Sequence, residues 1–194
     1  MKIKRVFAYI IDLLIVSIIA TLIFRLPMFK DNYERYVEYN DQDFQRIFSG
    51  GSSDMDEDEL IALEYNISTS SKPLLIIRLG VLVIYFGVIP FLWNGQTFGK
   101  KIMKLKVAAI DGELNPGLFM LRSILVSNFI PSLLNVLILM FFDQQMWYEY
   151  VGYVGYLQYI LIFLMLGFVI FREDERGLHD IICRTSVIST KEKK

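Results

Sequence analysis

The chain has few of the residues on which disulfide bonding, metal binding and nucleophilic catalysis depend. Its 194 residues include one cysteine, Cys183, and one histidine, His179. A single cysteine excludes an intrachain disulfide and any CxxC redox or zinc motif. A histidine-based zinc site or a serine–histidine–aspartate triad would have to use the one histidine. The sequence therefore predicts no catalytic site, no metal site and no cofactor, and we expect the protein not to be an enzyme.

A surplus of positive charge is also missing. Twenty Lys and Arg residues stand against 21 Asp and Glu, for a net charge of −1. This net charge says nothing about nucleic acid, but we expect no nucleic-acid partner for this chain. The segment from Gly95 to Lys100 is faintly similar to a phosphate-binding loop. That loop needs four residues between its glycines and Ser or Thr after the lysine. Here three residues separate Gly95 from Gly99, and Lys101 follows Lys100, so nucleotide binding is not predicted.

Long apolar runs are what the chain does contain, and hydrophobic residues make up 54% of it. Four runs are long enough to cross a bilayer as helices, at about 6–24, 74–93, 118–142 and 151–171. The sequence predicts an all-α membrane protein with four transmembrane helices. We divide it into a first helix (1–26), an acidic insertion (27–73), helices two to four with a basic loop at 94–117 (74–171), and a tail (172–194).

The distribution of basic residues predicts the orientation. With four spans, the N-terminus, the 94–117 loop and the tail share one side, which holds thirteen Lys and Arg residues. The other side holds five, including Arg25. Basic residues favour the cytoplasmic side of bacterial membranes. We therefore expect a multi-pass protein of the bacterial cell membrane with both termini in the cytoplasm.

The 27–73 insertion carries eleven acidic residues against four basic ones. Ser53 and the acids after it are typical of a capped helix start, and the Gly-Ser stretch at 49–53 indicates a flexible joint. We expect a partly helical extracytoplasmic region with short helices over the membrane surface. The acids are either a solvated face or a vestibule that attracts cations.

Asp12 lies in the middle of the first span, and Arg5 lies two helical turns before it on the same face, about 10 Å away along the axis. A carboxylate at membrane depth costs about 2.5–3.5 kcal/mol on insertion scales, so it needs a partner or a function. Asp12 is either an internal hydrogen-bonded or paired acid, or an ion or proton site. We predict a charge cluster in which Asp12 pairs with Arg122 and Arg5 pairs with Asp180, with Arg78 a less suitable partner.

Polar residues also follow one face of the third span. Asn128, Ser132 and Asn135 are spaced at i, i+4 and i+7, with Pro131 a predicted kink, and Gln158 adds a polar group in the fourth span. These four residues either bond helices together or line a hydrated pathway.

The polar segments on the basic side contain strand signals at 105–110, 113–114 and 185–189. We expect a small cytoplasmic β-hairpin that the tail extends into a sheet, and a short helix at 178–183. Four lysines of the same loop suit anionic lipid headgroups: Lys100, Lys101, Lys104 and Lys106.

These pieces together resemble the RDD family of bacterial membrane proteins. The resemblance lies in RVFAYIID at 5–12, GQTFGKK at 95–101, the hairpin at 107–112, Arg122-Ser123 and GLHD at 177–180. The arginine and two aspartates of the family's name match Arg5, Asp12 and Asp180. The resemblance covers almost the whole chain except the 27–73 insertion. It implies transport, with Na⁺(Li⁺, K⁺)/H⁺ exchange suggested for some members.

The functional hypothesis is therefore a small cation/proton transporter that contacts the lipid bilayer and monovalent cations and works as a homo-oligomer, since four spans are few for alternating access. The alternative is a non-transporting accessory, assembly or immunity-type partner protein, indicated by the acidic insertion and the basic inner face.

Overall fold

The computed structural model describes residues 2–48, 56–113 and 115–190 and is predominantly helical. Its helices and strands, in chain order, are α1 (Lys2–Phe24), α2 (Lys30–Phe48), α3 (Glu57–Ser70), α4 (Lys72–Leu82), α5 (Ile89–Leu92), α6 (Phe98–Ile102), β1 (Leu105–Ala109), α7 (Pro116–Val126), α8 (Phe129–Phe141), α9 (Gln144–Phe171), α10 (Leu178–Ile182) and β2 (Thr185–Ser189).

Three helical stretches of the described residues are long and apolar enough to cross a membrane: Lys2–Phe24, Lys72–Leu92 and Gln144–Phe171. The predicted third span is instead two helices, α7 and α8, which bend by 66° relative to each other. The break lies at Asn128, whose φ of 60° is left-handed, a conformation that asparagine tolerates better than most residues. The predicted kink at Pro131 is therefore wrong by three residues, because Pro131 lies in the first turn of α8, where no intrahelical donor is lost.

The second span contains a π-helical turn at Val83–Val88, between α4 and α5. Pro90 follows this turn and has no N–H to donate to the carbonyl of Phe86, four residues earlier. The Ser123 hydroxyl of α7 donates to that carbonyl at 2.6 Å. A side chain from a neighbouring helix thus satisfies a backbone group that the proline leaves open, and the two spans are joined there.

The acidic insertion is helical, as predicted. Helix α3 begins at Asp56, whose carboxylate accepts from the Glu59 N–H at 2.8 Å; the predicted cap at Ser53 and the joint at 49–53 lie outside the described residues. α2 packs against α3, and α3 packs against α9. At that second contact the Tyr65 and Trp147 rings lie 5.4 Å apart. We refer to α2 and α3 as the insertion end of the molecule.

The opposite end of the molecule, the sheet end, holds α6, β1, α10 and β2. The two strands pair antiparallel, with Val107 opposite Val187. The tail is therefore the direct partner of β1, and the predicted 105–114 hairpin is wrong: residues 111–113 form bends, and Leu114 lies outside the described residues. The strands bury a small core with Ala8 of α1 and Phe119 of α7, which fixes the sheet against two apolar helices.

Candidate functional site

Two buried carboxylates lie where α1 meets the sheet end. Asp12 is 1% exposed and Asp180 is 0% exposed. Each carboxylate is surrounded by its own set of donors. We call Asp12, Tyr85, Thr97 and Gly99 the Asp12 pocket, and Asp180, Arg5 and Arg122 the arginine cluster.

The Asp12 pocket contains only neutral donors. One carboxylate oxygen, Oδ1, accepts from the Tyr85 hydroxyl at 2.7 Å and from the Gly99 N–H at 2.7 Å. The other oxygen, Oδ2, accepts from the Thr97 hydroxyl at 2.5 Å. Hydrogen bonds to the charged form stabilise a carboxylate that burial would otherwise penalise. The pocket can therefore hold an anion with no cationic side chain in contact with it.

The segment after the second span has the residue types that such a pocket requires. Thr97 precedes the first turn of α6, and its hydroxyl oxygen also accepts from the Lys100 N–H at 3.4 Å, as an N-cap does. A Cβ on Gly99 would lie 2.7 Å from Asp12 Oδ1 and closer still to the Ala8 carbonyl oxygen. Only glycine lets the α6 backbone approach α1 so closely. The backbone N–H of Gly99 in α6 and the side chain of Thr97, the N-cap of α6, thus both bind Asp12.

Tyr85 reaches Asp12 from the π-helical turn. Turns of this kind add a residue to a helix locally and are frequent at functional sites. The neighbouring Phe86 carbonyl is bound by Ser123 Oγ at 2.6 Å, and Ser123 is buried. The position of Tyr85 therefore depends on a contact between the second span and α7.

The arginine cluster is built differently. Arg122 places Nε and Nη2 each 2.9 Å from Asp180 Oδ1, and Arg5 Nη2 donates to Oδ2. Gly177 N–H and Thr185 Oγ1 complete the shell, each at 3.2 Å. Burial alone would raise the pKa of Asp180, but Arg122 and Arg5 hold that pKa well below its usual range. Asp180 is thus an anion locked between two cations.

The predicted pairing is half right. Arg5 contacts Asp180, as the sequence analysis expected. The predicted pair of Asp12 with Arg122 is wrong, because α10 packs against α7 and brings Asp180 to Arg122, while Asp12 faces α6 and the π-helical turn. Arg78 does not replace it, since its Nε is buried without a hydrogen-bond partner among the described residues.

His179 lies beside the arginine cluster. Its Nε2 is 3.4 Å from Asp180 Oδ2, and its Nδ1 is 3.3 Å from Met165 Sδ. The side chains of His179 and Asp180 are both buried, although the two residues are consecutive on the short helix α10. Burial lowers the pKa of His179 to about 4, although the nearby Asp180 carboxylate opposes that shift.

The four lysines expected at the headgroups are divided between exposed and buried positions. Lys101 and Lys104 are exposed, and Lys101 Nζ lies 4.8 Å from the centre of the Trp93 ring. Lys106 and Lys100 are partly buried. Burial and, to a lesser extent, the charge of Arg122 lower the pKa of Lys100 to about 7, although Asp12 and Asp180 oppose the shift. Lys100 is thus a fifth charged group of this region, which sequence analysis had placed on the surface.

The predicted polar stripe lies away from both carboxylates. Ser132 Oγ donates to the Asn128 carbonyl at 2.9 Å, so it bonds to its own helix. Asn135 Oδ1 is buried without a hydrogen-bond partner among the described residues. Gln158 lies half-buried on α9, which packs against α8. These residues mark a contact between helices, and among the described residues they make no hydrogen bond to Asp12.

Tyr85, Thr97 and Gly99 are the site residues that sequence analysis missed. The signal for Thr97 and Gly99 lay in the 95–101 motif, whose two glycines and cap-forming threonine mark a close backbone approach. The sequence held no comparable signal for Tyr85. In the described part of the chain, no three His, Cys, Asp or Glu side chains are grouped to hold a metal ion.

Comparison with known proteins gives one match. No curated protein and no solved structure matches the chain. The family model described as the RDD family matches residues 3–184, nearly the whole chain.

Proposed function

The chain belongs to the RDD family, and from this premise we propose that it exchanges a monovalent cation for a proton through Asp12. The observation that carries the proposal is the contrast in charge between the two buried carboxylates. Asp180 is neutralised by two arginines, whereas the donors that contact Asp12 are neutral. A carboxylate with no cationic side chain in direct contact with it can bind either a proton or a metal cation.

The Asp12 pocket offers oxygen atoms to an incoming cation. Hard cations prefer oxygen ligands, and the pocket holds two carboxylate oxygens and the hydroxyl oxygens of Tyr85 and Thr97. In the structure both hydroxyls donate to the carboxylate. Rotation of each O–H would turn a lone pair toward a cation bound at Asp12. A proton on Asp12 would compete with that cation, which is the requirement for exchange.

The proposal includes a topology and an assembly. α7 and α8 form one broken span, both termini lie in the cytoplasm, and α2 and α3 lie outside the bacterial cell membrane. The unequal distribution of basic residues supports this orientation. Asp12 is fully buried, so the described conformation is an occluded one, and helix movement must open it. Because four spans are few for alternating access, we propose that the exchanger is a homo-oligomer.

The test is flux through purified protein in proteoliposomes that contain a pH-sensitive dye. A Na⁺, Li⁺ or K⁺ gradient should change the internal pH with wild-type protein. Asp12→Asn should lose most of this change, since a neutral amide takes up no proton near neutral pH and attracts a cation less strongly than a carboxylate does. Asp111→Asn, in an exposed loop, is the matched control and should keep full flux. A folded Asp12→Asn protein with undiminished flux would contradict the proposal.

A second candidate function is a non-transporting partner protein, which the acidic insertion favours. No residue of α2 is fully buried by the rest of the chain, although the helix is well formed, and this leaves its whole outer surface for other molecules. Wild-type protein that is folded and correctly oriented but carries no cation-driven proton flux would favour this function.

A further inference from the structure

One face of α2 exposes aromatic and aliphatic side chains although the helix lies outside the candidate spans. Val37, Phe44 and Phe48 recur at i, i+7 and i+11, so they lie along one face. Phe44 is 59% exposed and Phe48 is 72% exposed. Their rings stack with centroids 4.3 Å apart. Exposed apolar stripes of this kind mark interaction surfaces in folded proteins.

Acidic side chains flank this apolar stripe. Glu34, Glu38 and Asp41 lie with Tyr33 and Val37 along a shallow, open groove on the surface of α2 itself. The remaining groove residues, Gln42 and Gln45, are uncharged, so the lining contains three acids and no base. Lys30, which pairs with Glu34 at 3.7 Å, is the nearest base on this side. The face is therefore apolar along its centre and negative along its edge.

The other side of α2 is already occupied. Asn32, Tyr36, Tyr39, Asp43 and Arg46 are half-buried, and α2 packs against α3. Arg46 donates to Asp43 at 2.8 Å within this half-buried set. Arg46 is thus turned away from the groove, and Lys30 pairs with only one of its three acids, Glu34. The groove therefore keeps a net negative charge.

We propose that the Val37–Phe44–Phe48 face of α2 binds a basic amphipathic helix of a partner protein. An amphipathic helix lays its apolar side into a groove, with anchors at i, i+4 and i+7. Lysines and arginines along its edge would pair with Glu34, Glu38 and Asp41. This inference goes beyond cation exchange and does not depend on it.

Charge argues against the other occupants of this face. Helices that lie on membranes carry Lys and Arg on their polar side, and anionic headgroups would repel these acids. A second copy of α2 would bring the same acids face to face across a two-fold axis. The basic loop of the same chain lies at the opposite end of α1, a helix about 33 Å long. A basic helix of a separate protein is neither repelled by these acids nor held at the other end of α1.

The test uses full-length protein in lipid nanodiscs and a fluorescent lysine–leucine amphipathic helical peptide as the probe. Wild type should bind the peptide saturably, and an aspartate–leucine peptide of the same length should not bind. The triple variant Glu34→Lys, Glu38→Lys, Asp41→Lys should weaken binding about tenfold or more. Raising the salt concentration should weaken wild-type binding, because exposed charge pairs are screened.

A matched control carries the same charge change on a different surface. Glu57→Lys, Asp58→Lys, Glu59→Lys alters three exposed acids at the start of α3 and should leave the affinity unchanged. Equal losses in both triple variants would mean that only net charge attracts the peptide, and this would overturn the proposal. So would the absence of saturable binding to wild type.

A spin label separates the lipid occupant from the protein occupant. It is attached at Phe44→Cys in a protein in which Cys183 is replaced by serine. The label should be accessible to a water-soluble nickel relaxant in the free protein and become immobilised when the lysine–leucine peptide is added. A label that instead collides mainly with oxygen in the nanodisc, before any peptide is added, lies in lipid and overturns the proposal.

Discussion

Asp12 and Asp180 are two carboxylates buried to the same degree, in neighbouring parts of one molecule, yet they are stabilised by opposite means. Neutral hydroxyl and amide donors hold Asp12. Two guanidinium groups hold Asp180. A buried ion pair fixes its own protonation state, because neutralising one partner leaves the charge of the other buried without compensation. A carboxylate among neutral donors has no such constraint, so the difference separates a structural anion from one that can exchange its ligand.

The largest expected effect comes from breaking the arginine cluster. Asp180→Asn leaves Arg5 and Arg122 buried without a counter-charge, which should cost about 3–5 kcal/mol of folding free energy. Unfolding of the purified protein in detergent, followed by circular dichroism, measures this loss. Asp111→Asn, at an exposed position, should change the unfolding free energy by less than about 0.5 kcal/mol. A small effect of Asp180→Asn would mean that the two arginines find water or other acceptors.

Acidification should weaken the same cluster through His179. Burial lowers its pKa to about 4 in the folded protein from 6.5, so between these values the unfolded state binds more protons and stability falls as the pH falls. From pH 7.5 to 5 the loss should be about 2 kcal/mol. The Asp180 contribution is retained in this range, because the range lies above the ordinary carboxyl pKa of the unfolded state, and the pKa of Asp180 is lower still in the folded state. His179→Gln should remove most of this pH dependence, and an unchanged slope would contradict the assignment.

Removing the charge of Asp12 should have a smaller effect on stability. In Asp12→Asn the amide oxygen can still accept from Gly99 and Tyr85, so about 1–3 kcal/mol is expected. Arg122→Gln should not rescue this variant, because Arg122 pairs with Asp180. The two substitutions should be close to additive in the double variant. Marked rescue in the double variant would show that the two carboxylate sites are energetically coupled.

The smallest effect is expected at the contact that positions Tyr85. Ser123→Ala removes the donor to the Phe86 carbonyl and should cost about 1 kcal/mol. It should also speed amide hydrogen exchange in the 83–88 turn. Ser127→Ala is a matched control, since its hydroxyl makes only a long bond of 3.5 Å within α7 and its loop. Equal exchange in both variants would show that the π-helical turn does not need Ser123.

The helices could be predicted because apolar runs are a local signal. The partner of Arg5 could be predicted because Asp180 lies on the same side of the predicted spans. Long apolar runs predict helices, and strand 185–189 follows from its β-branched residues. The family resemblance pointed to Arg5, Asp12 and Asp180, but it did not say which pairs with which. Arg122 was expected near Arg5, and both contact Asp180, but it was assigned to the wrong carboxylate, because position along a span does not fix the direction that a side chain faces.

The Asp12 pocket could not be predicted for a different reason. Its donors are the Tyr85 hydroxyl in a π-helical turn, the Thr97 hydroxyl and the Gly99 N–H. The residue types permit these bonds, but which groups meet Asp12 depends on packing between helices. The break at Asn128 was also not predicted, because the sequence analysis expected the kink at Pro131 in the same polar stripe. Sequence patterns report which residues need partners, whereas the partners of Asp12 were set by how closely α6 approaches α1.

The pairing of Arg5 with Asp180 also sets an order of events during synthesis. The two residues are 175 positions apart, and a ribosome that adds about 5–20 residues per second needs on the order of 10–30 s to cover that distance. Throughout this interval α1 is already available to the membrane insertion machinery, while the anion that neutralises its first arginine has not been made. Strand β1 likewise cannot pair until β2 has been synthesised. The sheet end is therefore completed only after translation has passed Ser189, and until then Arg5 of the first helix lacks its anionic partner.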